Sequence, residues 1–473
     1  MIYKDLAQQC INDIKNKKLQ PHSRMPSLRN FKAQHNISMT SALNCYQHLE
    51  SLGWIISRPQ SGYFVCQPPL NNNQPEFIDF QSKTSDPALT SSQLSYTPTI
   101  NAIGPLGYAC IDPALLPLNG LQQSFRRALK RQSENISFYP APRGEKVLRD
   151  SLSAHFKSYH FHFSSEQLII SNGCMDSIKT ALEITTNIGD AVAISSPCYS
   201  GLLDMLTLLS RKVVEIPSTD QGIDLQQLEK QMQQGNIKAG LFCTSHMNPQ
   251  GISISAQQKQ QLAHLAETYQ IPIIEDDVYL EISHEKVVPL PAKHWDKQGY
   301  IIWCGSVSKT LAAGYRLGWC LPGRYHQDYL TRRRYFIQGV NSPTQLAIAD
   351  FINNGEYARH LKKLRYNVQR NTFDYRHYLA QHLPKNSKIS APNGGFVLWI
   401  QIPNLDTKKL FKQAIQAQLD LRVGEHFTTL DLYNDCLRIN IGYGLTDQSD
   451  QSASTRTALQ KLVELINHLI SEK

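Results

Sequence analysis

Apolar residues in the first 67 positions recur at helical spacing and then change to the spacing of strands. Leu6, Cys10 and Ile14 share one face of the first predicted helix. Ser38 is a typical cap for the third helix, and Gly53 ends it. The helices are predicted over 3–15, 26–35 and 39–52, and two hairpin strands over 54–58 and 63–66. Three short helices followed by a wing-like hairpin are typical of a DNA-reading module.

From residue 104 the pattern alternates apolar strands with amphipathic helices, for example a helix over 256–269. This alternation predicts an α/β fold with a mostly parallel sheet, which binds ligands at the carboxyl ends of its strands. The predicted strands lie at 167–170, 191–195, 213–216, 239–243, 271–275 and 300–304. A long helix near 356–379, strands at 395–400 and 436–441, and a final helix predict a smaller α+β lobe.

Residues 68–103 are polar, aperiodic and punctuated by proline, which is typical of a linker. If flexible, about 35 residues would span roughly 30–35 Å. The chain is therefore predicted to consist of an N-terminal DNA-binding domain (1–67), a linker (68–103) and a larger body (104–473).

The composition indicates which class of protein this is and where in the cell we expect it. Hydrophobic residues make up 41% of the 473 and charged residues 18%, as in ordinary globular proteins. The apolar runs are too short to span a bilayer, and the N-terminus lacks a signal-peptide pattern. The ten cysteines form neither a C-x-x-C motif nor a cluster at zinc spacing, so we expect free thiols, a cytoplasmic location and no metal.

The net charge of +9 is concentrated at the N-terminus. Residues 1–67 contain eight basic and three acidic residues, an excess of five on about a seventh of the chain. A local basic excess suits a polyanionic partner such as double-stranded DNA. On charge alone, a solvated surface explains it equally well.

The run from Gly305 to Gly318 contains Lys309 between hydroxyl side chains, followed by a glycine-rich turn and Arg316. A lysine amine can form a Schiff base with an aldehyde cofactor. Ser306, Ser308 and Arg316 can hold the phosphate of such a cofactor. The alternative is an ordinary surface lysine near a turn.

Three further residues follow a buried strand and suit a pyridine ring. A carboxylate at Asp276 can keep the ring nitrogen protonated, which an electron sink requires. Val278 can pack on the ring face, and Tyr279 can hydrogen-bond the ring hydroxyl. An acidic strand end is also compatible with a helix cap or a metal site.

The ends of other predicted strands add further candidates. Asn248 offers an amide donor to the ring oxygen, and Tyr199 an aromatic ring for stacking, unless it is a plain core tyrosine. Gly173 permits a tight turn, so the amides of Cys174 and Met175 at a helix start can bind phosphate.

Arg438 lies in an otherwise apolar strand of the smaller lobe. Because arginine is the planar, bidentate partner of a carboxylate, the carboxylate of a substrate or effector is one interpretation. A structural ion pair is the other.

Together these motifs resemble the pyridoxal-5′-phosphate-dependent aminotransferases of fold type I, class I/II, over residues 104–470. The residues follow that family's order: Gly173, Tyr199, Asn248, Asp276, Tyr279, Ser306, Lys309, Arg316 and Arg438. The resemblance implies pyridoxal 5′-phosphate as cofactor, Lys309 as the catalytic lysine and a homodimer. Tyr139 is similar to a tyrosine that reaches the partner subunit's phosphate in that family.

Residues 1–67 resemble the winged helix-turn-helix of the GntR regulators, through the stretches 25–29, 37–40, 52–55 and 61–65. A GntR head, a linker and an aminotransferase-like body define the MocR subfamily. The resemblance implies DNA contacts by Arg29, Ser38, Thr40 and Gly62. Two positions depart from the pattern: Met39 stands where arginine is frequent, and Gln60 where the wing often has glycine.

Two functions from different classes remain open. One is a transcription regulator that binds two DNA half-sites as a homodimer and senses an amine or amino acid, or the cofactor itself, through the body. The other is a working aminotransferase that carries a DNA-binding module. Because a basic winged helix has no evident use in a plain aminotransferase, the sequence favours the regulator.

Overall fold

The computed structural model describes residues 2–16, 18–20, 23–58, 62–66, 73–87, 104–132, 137–285, 287–337, 339–445 and 450–472. Residues 2–66 form a small head, and residues from 104 onward form the body. The head contains helices α1 (Ile2–Lys15), α2 (Leu28–His35) and α3 (Met39–Ser51), and strands β1 (Ile55–Arg58) and β2 (Gly62–Val65). The predicted order of three helices and a hairpin is confirmed.

Apolar faces of the three helices and the hairpin meet in the head's own core. Cys10 and Ile14 of α1 pack there with Phe31, Tyr46 and Leu49. The two strands pair antiparallel from Ile55↔Val65 to Arg58↔Gly62. The wing tip at 59–61, including Gln60, lies outside the described residues.

A nine-stranded sheet forms the centre of the body, in the order β3-β6-β5-β8-β9-β10-β11-β4, with β7 paired to β6. The strands are β3 (Thr84–Ser85), β4 (Ile169–Ser171), β5 (Ala191–Ser196), β6 (Lys212–Thr219), β7 (Gly222–Ile223), β8 (Ala239–Cys243), β9 (Ile273–Asp276), β10 (Ile301–Ser306) and β11 (Gly318–Leu321). From β6 to β10 all neighbours are parallel, whereas β3 and β11 run antiparallel to their neighbours. The predicted mostly parallel α/β sheet is therefore confirmed.

Helices cover both faces of this sheet, so strands β5, β8, β9 and β10 are buried along their whole length. The body helices are α4 (Leu118–Gln132), α5 (Lys146–Lys157), α6 (Cys174–Thr185), α7 (Ser200–Leu208), α8 (Leu225–Gln233), α9 (Ala256–Tyr269), α10 (His326–Phe336), α11 (Ser342–Asn353), α12 (Glu356–His382), α13 (Thr407–Gln416) and α14 (Asp450–Ser471). Among the described residues, no helix is both long and apolar enough to cross a membrane.

The smaller lobe is built on a four-stranded antiparallel sheet in the order β12-β13-β15-β14. Its strands are β12 (Lys388–Ile389), β13 (Val397–Gln401), β14 (Arg422–Val423) and β15 (Cys436–Asn440). Helices α12, α13 and α14 supply Leu379, Leu410 and Leu462 to a core shared with β13 and β15. The predicted α+β lobe is thus present.

Part of the predicted linker lies along the body. We call residues 73–87 the strap. At one end the carbonyl of Asn73 accepts a hydrogen bond from the amide of Ile389 (3.1 Å), beside the small sheet. At the other end β3 pairs with β6 of the large sheet, and Ser82 donates to Gln227 from both its amide and its hydroxyl (2.8 Å each). The strap therefore connects the two sheets, and the span calculated for a flexible linker does not apply to it.

The head contacts the body through α3 and α12. The hydroxyl of Tyr366 donates to Glu50 Oε2 at 2.7 Å. The ring of Phe373 lies so close to Gly53 that a Cβ there would come within 1.7 Å of a ring carbon. Gly53 thus serves both as the end of α3 and as the surface on which an aromatic ring of the body packs.

Candidate functional site

A cavity of about 160 Å³ lies at the carboxyl ends of the large-sheet strands, beside the small lobe. Most of the predicted body residues line it: Cys174, Met175, Tyr199, Asn248, Asp276, Val278, Tyr279, Ser308, Lys309, Arg316 and Arg438. Of the rest, Gly173 and Ser306 contact lining residues from behind: Gly173 adjoins Arg316, and the Ser306 hydroxyl donates to Ser308 at 2.7 Å. The structure therefore brings residues from distant parts of the chain into one site.

Lys309 follows β10 and extends into this cavity. Its Nζ donates to the carbonyl oxygen of Ala109 at 2.6 Å and lies about 6 Å from the rings of Tyr108 and Tyr279. Burial lowers the pKa of Lys309 to about 8, because the charged amine has lost most of its hydration. A large fraction of this amine is therefore neutral, and nucleophilic, at mildly alkaline pH.

Asp276 ends β9 at the floor of the cavity. Its Oδ1 accepts from the Cys174 thiol at 3.2 Å and from the Val278 amide at 3.4 Å. Burial raises the pKa of Asp276 to about 6. A cationic ring nitrogen beside Asp276 would stabilise the charged form of the carboxylate, and the carboxylate would in turn hold the nitrogen in place.

Tyr279 has a buried hydroxyl that forms no hydrogen bond within the described part of the chain. Such a group is costly unless a ligand supplies its partner. Tyr279 lies in the cavity wall, so its hydroxyl is available to a polar group that enters the cavity.

One end of the cavity has the features of an anion site. Gly173 precedes α6 with φ of 108°, so the helix begins abruptly at Cys174 and directs its first amides at the cavity. Arg316 lies at the opening, where its Nη2 donates to the carbonyl of Asn172 at 2.9 Å. Glycine is favoured at position 173 because L side chains rarely adopt a φ of 108°, and a Cβ there would also lie 2.9 Å from that nitrogen.

Arg438, on β15, closes the opposite end. Its Nη1 lies 3.4 Å from Asn248 Oδ1, a long hydrogen bond, and its buried Nε has no partner within the described ranges. No ion pair of Arg438 is found among the described residues, so the alternative of a structural ion pair is not supported. Burial, and then the neighbouring Arg422, lower the pKa of Arg438 to about 10.

Eight lining residues were not predicted from the sequence as site residues: Gly107, Tyr108, Ala109, Ser200, Cys243, Ala313, Arg422 and Phe427. Tyr108 and Ala109 belong to an irregular stretch without periodicity, and Arg422 to a strand of only two residues. Tyr139 lies outside the cavity of its own chain, with 86% of its surface exposed. Its proposed contact with a partner subunit stays a prediction.

In the head, the predicted DNA-contacting residues lie on the surface. Ser38 caps α3 by accepting a hydrogen bond from the Ser41 amide (3.0 Å), and Ser38, Met39 and Thr40 are all exposed. Arg29 on α2 is exposed as well. The start of α3 is therefore accessible while the head rests on the body.

The wing adds a basic residue that was not predicted from the sequence. Gly62 has φ of 94°, and the guanidinium of Arg24 lies 3.5 Å from where its Cβ would be. Residue 24 also forms a β-bridge with Phe64, which fixes this arginine beside the wing.

Comparison with known families agrees with this two-part organisation. Residues 2–65 match the bacterial regulatory proteins of the gntR family, and residues 116–456 match aminotransferase class I and II. The chain belongs to the MocR-type GntR regulators. Two curated relatives cover nearly all of it: the uncharacterized HTH-type transcriptional regulators YjiR (32% identical, 94% of both chains) and YdcR (30%, 98% of this chain and 99% of the relative), both of Escherichia coli K12.

Solved structures place the body of this MocR-type chain among aminotransferase folds. The multiple substrate aminotransferase of Thermococcus profundus superposes with a TM-score of 0.71 at 22% identity, covering 79% of this chain and 93% of that one. LysN, the alpha-aminoadipate aminotransferase of Thermus thermophilus, gives 0.72 at 18% identity, with 80% and 95% covered. At these identities the likeness shows the fold.

Proposed function

We propose that this regulator binds pyridoxal 5′-phosphate in the cavity around Lys309, recognises an amine or amino acid there, and thereby alters how its head binds DNA. The observation that carries the proposal is a single helix, α12, which contacts the residue after Lys309, the strand end beside Arg438, and the head.

The residues of the cavity fit the proposed cofactor. Lys309 supplies the amine that attaches it, Asp276 the carboxylate for its ring nitrogen, and Tyr279 with Asn248 the hydrogen-bonding groups for its ring oxygen. The phosphate would lie at the start of α6 with Arg316. When bound, the cofactor supplies an aldehyde that reacts reversibly with primary amines. Arg438 then selects amines that also carry a carboxylate.

Helix α12 provides a physical route between cavity and head. Near its start, the Tyr357 hydroxyl lies 2.9 Å from Thr310 Oγ1, and His360 Nε2 donates to the Thr310 carbonyl at 2.6 Å. Further along, the Asn371 side chain donates to the carbonyl of Ile441 at 2.9 Å, one residue beyond β15.

Between these two contacts, Tyr366 holds the head through Glu50. Because a 27-residue helix about 40 Å long moves as one body, a shift at Thr310 is transmitted to the head. Such a change requires a ligand that binds the two arrangements with different affinity.

For DNA, we propose that the exposed start of α3 enters the major groove and that Arg24 and Arg29 contact phosphates. The family resemblance supports a homodimer, in which two heads read two half-sites. The exposed Phe138 and Tyr139, 73% and 86% accessible, are candidates for burial against the second subunit.

A binding titration of the full-length protein tests the proposal. The probe is a fluorescent duplex from the protein's own upstream region, with and without pyridoxal 5′-phosphate and amino acids, against a scrambled duplex. We expect sequence-specific binding whose affinity changes when cofactor and an amino acid are both present. Binding that is equally tight to the scrambled duplex under every condition would rule out the regulatory function.

The cavity also supports a second function, transamination. The lowered pKa of Lys309 suits a group that must accept and return a proton near neutral pH. Steady release of a 2-oxo acid during incubation of the cofactor-loaded protein with an amino acid, and with a second 2-oxo acid that accepts the amino group, would establish turnover. A single, reversible change in the cofactor's absorbance without 2-oxo acid would identify a sensor.

A further inference from the structure

A second and larger space lies between the head and the body, and we call it the cleft. Its volume is about 990 Å³, at the upper end of the range of small-molecule sites. Helices α1 and α3 form the head wall and one face of α12 forms the body wall, while residues 283–285 and 391–393 complete the lining. Among the described residues, none lines both the cleft and the cavity around Lys309. The cleft is therefore a separate place in the molecule.

The charged side chains that line the cleft are mostly positive. Lys362, Arg365 and Arg376 come from α12 and Lys4 from α1, whereas Glu285 is the one carboxylate among the described lining residues. Burial lowers the pKa of the two lining histidines, so neither adds charge at neutral pH. An excess of three positive charges therefore faces the space between head and body, which suits a small anion with more than one negative charge.

Arg376 has lost part of its hydration without gaining a partner. Its Nε is buried and accepts no contact from any hydrogen-bonding group of the described chain, and no ion pair of Arg376 is found there either. Burial lowers the pKa of Arg376, and no neighbouring carboxylate raises it again. A guanidinium in this state is costly to the fold unless a ligand supplies the missing negative charge.

The body wall of the cleft is held in place before any ligand binds. Arg365 Nε donates to the carbonyl of Glu281 at 2.6 Å, and its Nη2 donates to the hydroxyl of Tyr159 at 3.1 Å. Lys362, one turn earlier on α12, is exposed and forms no ion pair within the described ranges. A wall whose cations are already positioned binds an anion with little loss of side-chain entropy.

We propose that the cleft binds a small phosphorylated molecule, held by Arg376 and Lys362 of the body and by Lys4 of the head. A phosphate group carries about 1.5–2 negative charges in one compact unit, and arginine can hold it through two parallel hydrogen bonds. Because the Nε of Arg376 is buried, a small molecule reaches this side chain more readily than the backbone of a DNA duplex does.

The site goes beyond the proposed function, since it requires neither the cofactor nor an amino acid. A ligand that contacts both walls binds best while the head rests on the body, so it favours that arrangement over others. The phosphorylated molecule would thus be a second effector, which acts on the position of the head directly.

Calorimetric titration of the full-length protein, without added cofactor and at constant ionic strength, tests the proposal with inorganic pyrophosphate as the probe. We expect saturable binding. Amide hydrogen exchange locates the probe: residues 2–15 and 362–376, one from each wall, should exchange more slowly when it is bound. Protection confined to residues 305–316 would instead place the probe in the cavity around Lys309 and overturn the proposal.

Three variants of α12 sharpen the test. Arg376→Gln should weaken pyrophosphate binding at least about tenfold, as expected for a lost charge-assisted contact. Lys362→Gln, at an exposed position, should weaken it about threefold. Lys363→Gln removes the neighbouring exposed lysine, which does not line the cleft, and should leave binding unchanged. Because Arg376 has no partner to lose, Arg376→Gln should not lower the melting temperature, whereas a purely structural role would.

Three results would overturn the proposal. One is the absence of saturable pyrophosphate binding in the wild type. Another is binding that persists in Arg376→Gln but is lost in Arg316→Gln, since the probe would then occupy the cavity. The third is weaker binding of the specific duplex by Arg376→Gln while pyrophosphate does not bind, which would identify the cleft as a DNA contact. All three leave cofactor attachment at Lys309, and with it the proposed function, to be tested separately.

Discussion

The cavity of the body and the predicted DNA-binding surface of the head carry their candidate functional groups in opposite ways. In the cavity, side chains from the ends of several strands converge, and Asp276, Tyr279 and Arg438 are buried. In the head, Arg29, Ser38 and Thr40 are exposed and close in sequence. Packing thus positions the cavity groups before any ligand arrives, whereas Arg29 and Thr40 of the head lie on its surface and Ser38 is held by its cap of α3. Substitutions should therefore have larger and more local effects in the cavity.

Replacing the lysine should have the largest effect. Lys309→Ala lacks the amine proposed to attach the cofactor, so covalent attachment should be lost completely. Mass spectrometry after borohydride reduction should show the cofactor's mass on wild-type protein and none on the variant. Lys297→Ala, at an exposed lysine of the body, is the matched control. Retained labelling of Lys309→Ala would show that another lysine is used and that the cavity has been misassigned.

A change of pH should alter the rate of covalent cofactor attachment by a large factor, although less than the complete loss expected for Lys309→Ala. Because the pKa of Lys309 is lowered to about 8, its neutral fraction rises from about 1% at pH 6 to about half at pH 8, roughly 50-fold. Above pH 8 the rate should level off. Arg438 lowers this pKa, whereas Cys110 and Asp276 raise it. Stopped-flow absorbance over a pH series measures the rate, and a rise continuing towards pH 10 would indicate an ordinary, hydrated lysine.

Removal of a single positive charge from the head should have a smaller effect, which is on DNA affinity. Arg29→Ala should weaken binding of the specific duplex about tenfold and reduce the salt dependence of log K by about 0.9, the value for one phosphate contact. Anisotropy titrations at several salt concentrations measure both. Lys238→Ala removes the same charge from an exposed position on the body and should leave both unchanged. An unaltered salt slope in Arg29→Ala would place Arg29 away from the DNA.

The smallest effect should appear at the contact between the two regions. Tyr366→Phe removes one donor to Glu50, worth about 1 kcal/mol. The change in DNA affinity caused by the effector should shrink by about fivefold, the factor that about 1 kcal/mol provides, with the cofactor's absorbance unchanged. Tyr378→Phe, further along the same helix, is the control. An undiminished response would show that α12 does not transmit the signal through this contact.

The sequence was most informative where a buried apolar strand is followed by a polar residue. Asp276 and Lys309 were found in this way, because in a parallel sheet such strand ends meet at one edge. The cap at Ser38 was also predictable, because it depends on neighbouring residues alone. Exposed positions of the head follow from local pattern, but their DNA contacts depend on a molecule outside the chain.

Other features depend on contacts between residues far apart in the chain. Arg422 gives no signal in a two-residue strand, and its position follows from pairing with Arg438. The strap is polar and aperiodic like a linker, yet it binds through backbone pairing and the amide side chains of Gln227 and Gln401. The hydropathy pattern does not reveal such docking, because few apolar side chains take part in it.

The strap limits how far the DNA-binding head can move from the body. Between Cys66 at the end of the head and Asn73 on the body there are seven Cα–Cα steps, which reach at most about 25 Å when fully extended. If the whole predicted linker, residues 68–103, were free of the body, the head could move much farther from the body. As long as the strap remains on the sheet, the head can search only a small volume around the body, so its effective concentration there is high.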